Sequence, residues 1–201
     1  MEKIDYKKQL KHLYKASAKK PVIVNVPAMN FFMIDGQGNP NTSEEYKNAV
    51  EVLFKLSYTI KFMIKKGEIA KDYGVMPLEG LWWMDGEFDV DKKDEWKWTM
   101  MMMQPKLVTP EIVNEAIEIV KVKKNPPALP LVRFEHFEEG KVVQILHVGP
   151  FTEEGPTVER MHAFAKAEGY QLRDKHHEIY LSDIRRAAPE RWKTILRQPV
   201  L

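Results

Sequence analysis

The sequence predicts an α+β fold, a duplicated strand-helix-strand-strand unit with antiparallel sheets, and three observations predict it. The same order of signals (strand, Gly/Pro turn, helix, strand, strand) occurs on each side of a proline cluster at Pro126, Pro127 and Pro130. Each copy has one stretch of helical periodicity flanked by short segments of period two. The chain has 201 residues and is 44% hydrophobic, enough to fill a sizeable core. Two such units pack their sheets into one antiparallel assembly with the long helices on one side.

The elements follow in order. Lys7 to Lys20 is lysine-rich and reads as a solvated, partly frayed leader, which sets a boundary at residues 1–20 before a single domain at 21–201. PVIVNVPAMNFFMIDGQGNPN reads as extended chain ending in a turn, with Phe31, Met33 and Asp35 on one face and Phe32 and Ile34 on the other. Thr42 and Glu45 fit a capping box for a long helix starting near Ser43, whose stripe runs from Tyr46 through Leu53, Ser57 and Ile60 to Ile64. A second stripe, Phe54, Tyr58 and Phe62, gives this helix more aromatic surface than one core face needs.

GLWWMDGEF and WKWTMMMMQ read as two antiparallel strands, and in the second Trp96, Trp98, Met100, Met102 and Gln104 share a side. Thr109 caps a connecting helix over 109–124, with Pro110 at its first position. Repeat one thus covers about 25–105 and repeat two about 131–201. The second opens with LVRFEHF and KVVQILHVGPF, read as a hairpin around Glu139-Gly140, followed by a helix from about Glu153 to Glu168 that Gly169 stops. HHEIYLSD and TILRQPV supply two more strands.

Composition removes several classes of function. Lys and Arg number 31 against 29 Asp and Glu, with the signs interleaved, so little long-range field draws nucleic acid, and about 20 leader residues are too few for a DNA-binding module. The first residues lack the apolar run of a signal peptide and nothing is long enough to span a bilayer, so a cytoplasmic location is expected. Without cysteine there is no disulfide or thiol chemistry, and the histidines, adjacent at His176-His177, show no metal-ligand spacing. Neither a metal nor a cofactor is expected. Asp183 with Arg185 and Arg186 reads as a surface turn without catalytic role.

Two places can carry chemistry. In MPLEGLWW, Glu79 precedes Trp82 and Trp83; Glu is costly to bury and Trp costly to expose, so the arrangement is either incidental or a pocket wall. In HHEIYLSD, Glu178 and Tyr180 share a strand face with His176 and Ser182. That face either meets solvent or points into a cavity, where desolvation raises the carboxyl's pKa and readies it as acid, base or counter-charge. Trp82, Trp83, Trp96 and Trp98 fall within 17 residues and favour a cavity; indole faces stack on flat ligands, and Met100 to Met103 adapt to varied ones.

MIDGQGNPNTSEEY, LSYTIKF, MPLEGLWW, WKWTMMMMQP, HVGPFTEEGPTVERMHAF and DKHHEIYLSD together resemble the GyrI-like small-molecule-binding family, from about Pro21 to Leu201. The stand-alone branch is the most similar, some of whose members are cyclopropanoid hydrolases that protect against duocarmycin-type genotoxins. Ile184 departs from the SDPRR pattern of that branch, which bears on the turn geometry. The resemblance implies two pseudo-two-fold-related repeats with a ligand cleft between their helices. It implies Glu178 at the centre of the cleft, with Tyr180 and Tyr58 as the other catalytic residues. Glu79, Trp82, Trp83, Trp98, Phe62, Met100, Met102, His147 and Phe151 are the ligand-binding set expected with it.

The function expected from this likeness is binding of flat hydrophobic, often cationic or electrophilic xenobiotics, with hydrolysis of strained cyclopropanoids. Glu178 would activate water and Tyr58 or Tyr180 would hydrogen-bond the ligand carbonyl. The alternative is a non-catalytic multidrug-binding protein or sensor that needs only affinity. A protein-binding inhibitor ranks last, because the balanced charge does not mimic DNA. Partners are therefore hydrophobic aromatic small molecules, without nucleic acid or membrane.

Overall fold

The computed structural model describes residues 3–201. In chain order the elements are β1 (Lys3–Ile4), α1 (Tyr6–Gln9), α2 (Lys11–Tyr14), β2 (Val22–Val26), β3 (Met29–Gln37), α3 (Glu44–Lys66), β4 (Asp72–Tyr73) and β5 (Leu78–Trp83). There follow β6 (Lys97–Gln104), α4 (Pro110–Lys123), β7 (Arg133–Phe137), β8 (Gly140–Val148), α5 (Gly155–Ala167), β9 (His176–Tyr180) and β10 (Lys193–Pro199). The order β3-α3-β5-β6 recurs as β8-α5-β9-β10, so the α+β class and the repeated order of elements are both present. The chain forms two compact units, one from Met29–Met76 and Trp83–Phe137 with the described residues up to Tyr6, the other from Lys7–Ala28, Pro77–Trp82 and Glu138–Leu201.

In the first unit β3 pairs antiparallel with β6 on one side and β7 on the other. Registers Phe32 to Met102, Ile34 to Met100 and Gly36 to Trp98 put these side chains on the face that α3 covers. Ser43 caps α3 by accepting from the Tyr46 amide at 3.2 Å, so the cap sits one residue after Thr42. Acidic Glu44 and Glu45 at its start and Lys65 and Lys66 at its end complement the helix dipole. Thr109 caps α4, with Pro110 at the first position.

Below α3, Ser57 donates to the Met102 sulfur at 3.8 Å and accepts from Gln104 at 3.0 Å. Tyr46 meets Trp98 edge-on at 5.4 Å. A Cβ on Gly36 would lie 2.1 Å from the Trp98 ring. Gly36→Ala is therefore expected to displace Trp98 and cost about 1–3 kcal/mol, read as a lower urea midpoint at unchanged slope.

The second unit is a sheet in the order β2-β8-β10-β9-β5, antiparallel throughout. Val143, Ile145, Leu196 and Val200 on one face pack against Met161 and Ala165 of α5. The basic leader differs from the expectation of a frayed segment, because Leu13 and Tyr14 within it are buried. Its backbone is also held: Gln144 donates to the His12 carbonyl at 2.9 Å, Arg197 to the Leu13 carbonyl, and the Leu146 amide to Ser17 at 3.0 Å.

Two strand expectations change. The PVIVNV…MID stretch is two strands, because Pro27 and the residue after it interrupt the ladder and β2 pairs with β8 while β3 pairs with β6 and β7. LVRFEHF and KVVQILHV are not a hairpin: β7 pairs with β3, and β8 with β2 and β10. The physical reason lies at Glu139, whose side chain is drawn into the buried interior of the second unit, with Gly140 at φ +72° making the bend.

Candidate functional site

The HHEIY strand carries the centre of the site. β9 is flanked by β5 and β10, with Glu178 opposite Gly80 and Leu196, and Tyr180 opposite Leu78 and Thr194. Period two then puts His176, Glu178 and Tyr180 on the face of Leu196, which α5 shares, and His177 and Ile179 on the other. Gly80 presents no side chain beside Glu178. The Tyr180 hydroxyl donates to Glu178 Oε2 at 2.7 Å and accepts from Trp82 Nε1 at 3.0 Å. Phe151 closes against Tyr180 edge-on at 5.6 Å and against Trp192 at 5.0 Å. The Glu178 side chain is 17% exposed, so the carboxyl is largely desolvated yet reachable.

Burial raises the Glu178 pKa to about 7, against the opposing pull of the Tyr180 hydrogen bond and the His177 charge. Glu154, at the start of α5, adjoins it; burial first and the Glu178 charge second push Glu154 up to about 9. His176 Nε2 is 3.6 Å from Glu178 Oε1, but burial, aided by His162 and His177, lowers His176 to about 4, so it stands there uncharged at neutral pH.

Behind β9 is a buried charge network. His177 Nε2 is 3.0 Å from Glu79 Oε2, and Nδ1 is 2.9 Å from Glu139 Oε1. An acceptor at each ring nitrogen requires both to carry hydrogen, which is the imidazolium form. Burial alone would lower its pKa, but Glu139 and Glu79 outweigh that and raise it to about 9. Tyr14 donates to Glu79 Oε1 at 2.8 Å. Arg197, fully buried, lies 3.6 Å from Glu139 Oε2 and donates to Gln144 at 2.9 Å. Two carboxylates and two cations balance, which meets the first condition for keeping charge out of water.

The residues expected from sequence fall into three groups. Glu178, Tyr180, Trp82 and Phe151 come together in the second unit. Glu79 does not join them: it is fully buried on the opposite face, spent on His177 and Tyr14 instead of a ligand wall. His147 is buried too, with Nδ1 3.1 Å from Thr157 Oγ1 and Nε2 3.2 Å from the Pro150 carbonyl, and so anchors the turn before α5.

The remainder belong to the first unit. Trp98, Met100 and Met102 are fully buried core side chains, and Trp83 is half-buried at the end of β5. Tyr58 and Phe62 are 47% and 48% exposed on α3, where Tyr58 stacks on Phe54 at 6.5 Å and both line a groove closed by Ile119 and Lys123 of α4. Sequence reading missed His177, Glu139, Arg197 and Tyr14 as parts of one charged interior, and Glu154 as the neighbour of Glu178 on the other face. No group of three or more His, Asp or Glu that could hold a metal occurs among the described residues, and no described helix is long and apolar enough to cross a membrane. Ile184 lies in an exposed turn held by Arg185 to Asp183 at 2.9 Å.

An α+β domain with a partly desolvated carboxyl among aromatic rings defines a small-molecule-binding class. The chain belongs to the GyrI-like small molecule binding domain family, which matches residues 19–201. Three solved structures from Listeria innocua are similar over nearly the whole chain. A conserved protein is 47% identical, covers 99% of this chain and 100% of its own, and has a TM-score of 0.93. A hydrolase is 46% identical with full coverage of both chains and a TM-score of 0.90. Another hydrolase is 45% identical, covering 99% of this chain and 100% of its own, with a TM-score of 0.87. No curated protein matches the chain significantly.

Proposed function

We propose that this protein binds flat, hydrophobic electrophiles and hydrolyses strained cyclopropanoid rings, with Glu178 as the general base. The observation that carries the reading is the Trp82-Tyr180-Glu178 relay, which holds one oxygen of a carboxylate that is still 17% exposed. A base with its pKa near the working pH combines availability with basicity, and burial gives Glu178 that property. Two similar structures described as hydrolases support turnover.

In the step we infer, water oxygen bonds to a ring carbon while Glu178 takes a water proton. The ring C–C bond breaks and its electron pair passes into the conjugated carbonyl, whose oxygen then gains a proton, so that Glu178 returns to its ionised form through solvent. Ring strain keeps the barrier low, so positioning and one base suffice. Tyr180 is engaged at both ends of its hydroxyl and therefore positions Glu178; in the first unit the exposed Tyr58 ring offers stacking surface with Phe54 and Phe62.

Incubating substoichiometric protein with a spirocyclopropane alkylator in ¹⁸O-labelled water tests this. Many equivalents of ring-opened product, each with one labelled oxygen, are expected. Product at the buffer rate with tight ligand binding would replace the hydrolase by the non-catalytic binding protein.

A further inference from the structure

We propose that Glu154 is the proton-bearing partner of Glu178: the two form a carboxyl pair in which Glu154 keeps one proton and presents it to Glu178, fixing Glu178 as the ionised member. The proposal rests on the reading of Glu178 as a base, and assigns a further positioning residue to it.

Glu154 follows a 3₁₀ turn, Phe151–Glu153, that is fixed from two sides, by His147 and by the Phe151 ring against Tyr180. Its backbone carbonyl accepts from the Thr157 and Val158 amides at 2.9 Å, which starts α5, but its side chain makes no capping bond. That side chain is only 8% exposed, and its buried Oε1 accepts no hydrogen bond. An ionised carboxylate in such a place needs donors.

The described groups that face the pair are uncharged. From β9 come Tyr180 and His176, from α5 His162, from β10 Thr194 and Gln198, and from β5 Trp82. His162 and His176 each have a buried ring nitrogen without a partner, as expected of uncharged imidazoles. The buried cations His177 and Arg197 point to the opposite face, where Glu79 and Glu139 neutralise them. Two adjacent carboxylates without a counter-ion cannot both ionise near neutral pH, so the pair retains a proton.

The asymmetry of the contacts decides which member keeps it. Glu178 receives the Tyr180 hydroxyl, and the imidazolium of His177 is its neighbour in the chain. Glu154 has neither. The proton therefore resides on Glu154, where it can satisfy Glu178. When water gives its proton to Glu178 during turnover, Glu154 retains its own, and no net proton leaves the pair until Glu178 is re-ionised.

The test is a ¹³C NMR pH titration of the full chain labelled at glutamate Cδ, for wild type, Glu154→Gln and Glu178→Gln, with kcat/KM profiles in parallel. Two carboxyls should titrate above the other glutamates, and Glu154→Gln should remove the more alkaline one while Glu178 still titrates. In kinetics, Glu154→Leu should lower kcat/KM about 10-fold or more, and Glu154→Gln should recover most of that loss because an amide N–H can donate in the proton's place. The proposal is overturned if both carboxyls titrate with the ordinary glutamates, if Glu178→Gln rather than Glu154→Gln removes the alkaline transition, or if Glu154→Gln is as inactive as Glu178→Gln. Absence of turnover in the wild type would defeat the hydrolase reading alone, since the titration still decides the pair.

Discussion

Glu178→Gln is expected to lower ring-opening turnover by about 10²–10⁴-fold, the usual contribution of a positioned general base. The amide keeps the shape of the carboxyl and can still accept from Tyr180, so the strand and the aromatic contacts around it remain. What disappears is the capacity to take a proton from water. KM should change little, because the lost interaction is made in the transition state. A variant with wild-type kcat would remove Glu178 from the chemistry and leave the carboxyl as a counter-charge for ligands.

The largest effect on stability is expected at Glu139. Glu139→Ala leaves His177 with one carboxylate and Arg197 with none, both fully buried, and removing one partner from such an arrangement costs about 3–5 kcal/mol. Urea unfolding measures it directly, and a loss below 1 kcal/mol, the range of exposed ion pairs, would contradict the network. Glu139→Gln should cost less, since its amide oxygen still accepts from His177. The same network predicts a pH dependence. The His177 pKa is raised in the folded state, from 6.5 to about 9, so its contribution is fully present below about pH 6.5 and declines as pH rises through about 9. The melting temperature of the wild type should therefore fall on the alkaline side, and less steeply after Glu139→Ala.

Much of this was legible in the sequence, and the exceptions have physical causes. Caps, periodicity and Gly/Pro turns located α3, α4, α5 and strands β3 and β5 to β10, because these signals are local. Strand partners are not local: β7 and β8 are adjacent in sequence, and only the buried demand of Glu139 shows why they do not pair. The lysine content of the leader concealed Leu13 and Tyr14, two residues whose burial outweighs the solvated charges around them. In the site, period two correctly grouped Glu178 with Tyr180. The same rule separates Glu79 from Trp82, which stand an odd number of residues apart in β5; their closeness in sequence hid that they face opposite ways. Glu154 gave no signal at all, since one glutamate in a TEEGP turn is ordinary until the fold buries it.

The measurement that bears most directly on the central claim, that an ionised Glu178 is the base, is the initial rate of ring opening between pH 5.5 and 8.5. A base acts in its deprotonated form, so the rate should climb about tenfold per pH unit in the acid range and level off above about pH 7, where the buried Glu178 carboxyl ionises. A rate independent of pH over this range, or one already level at pH 5.5, would contradict the account.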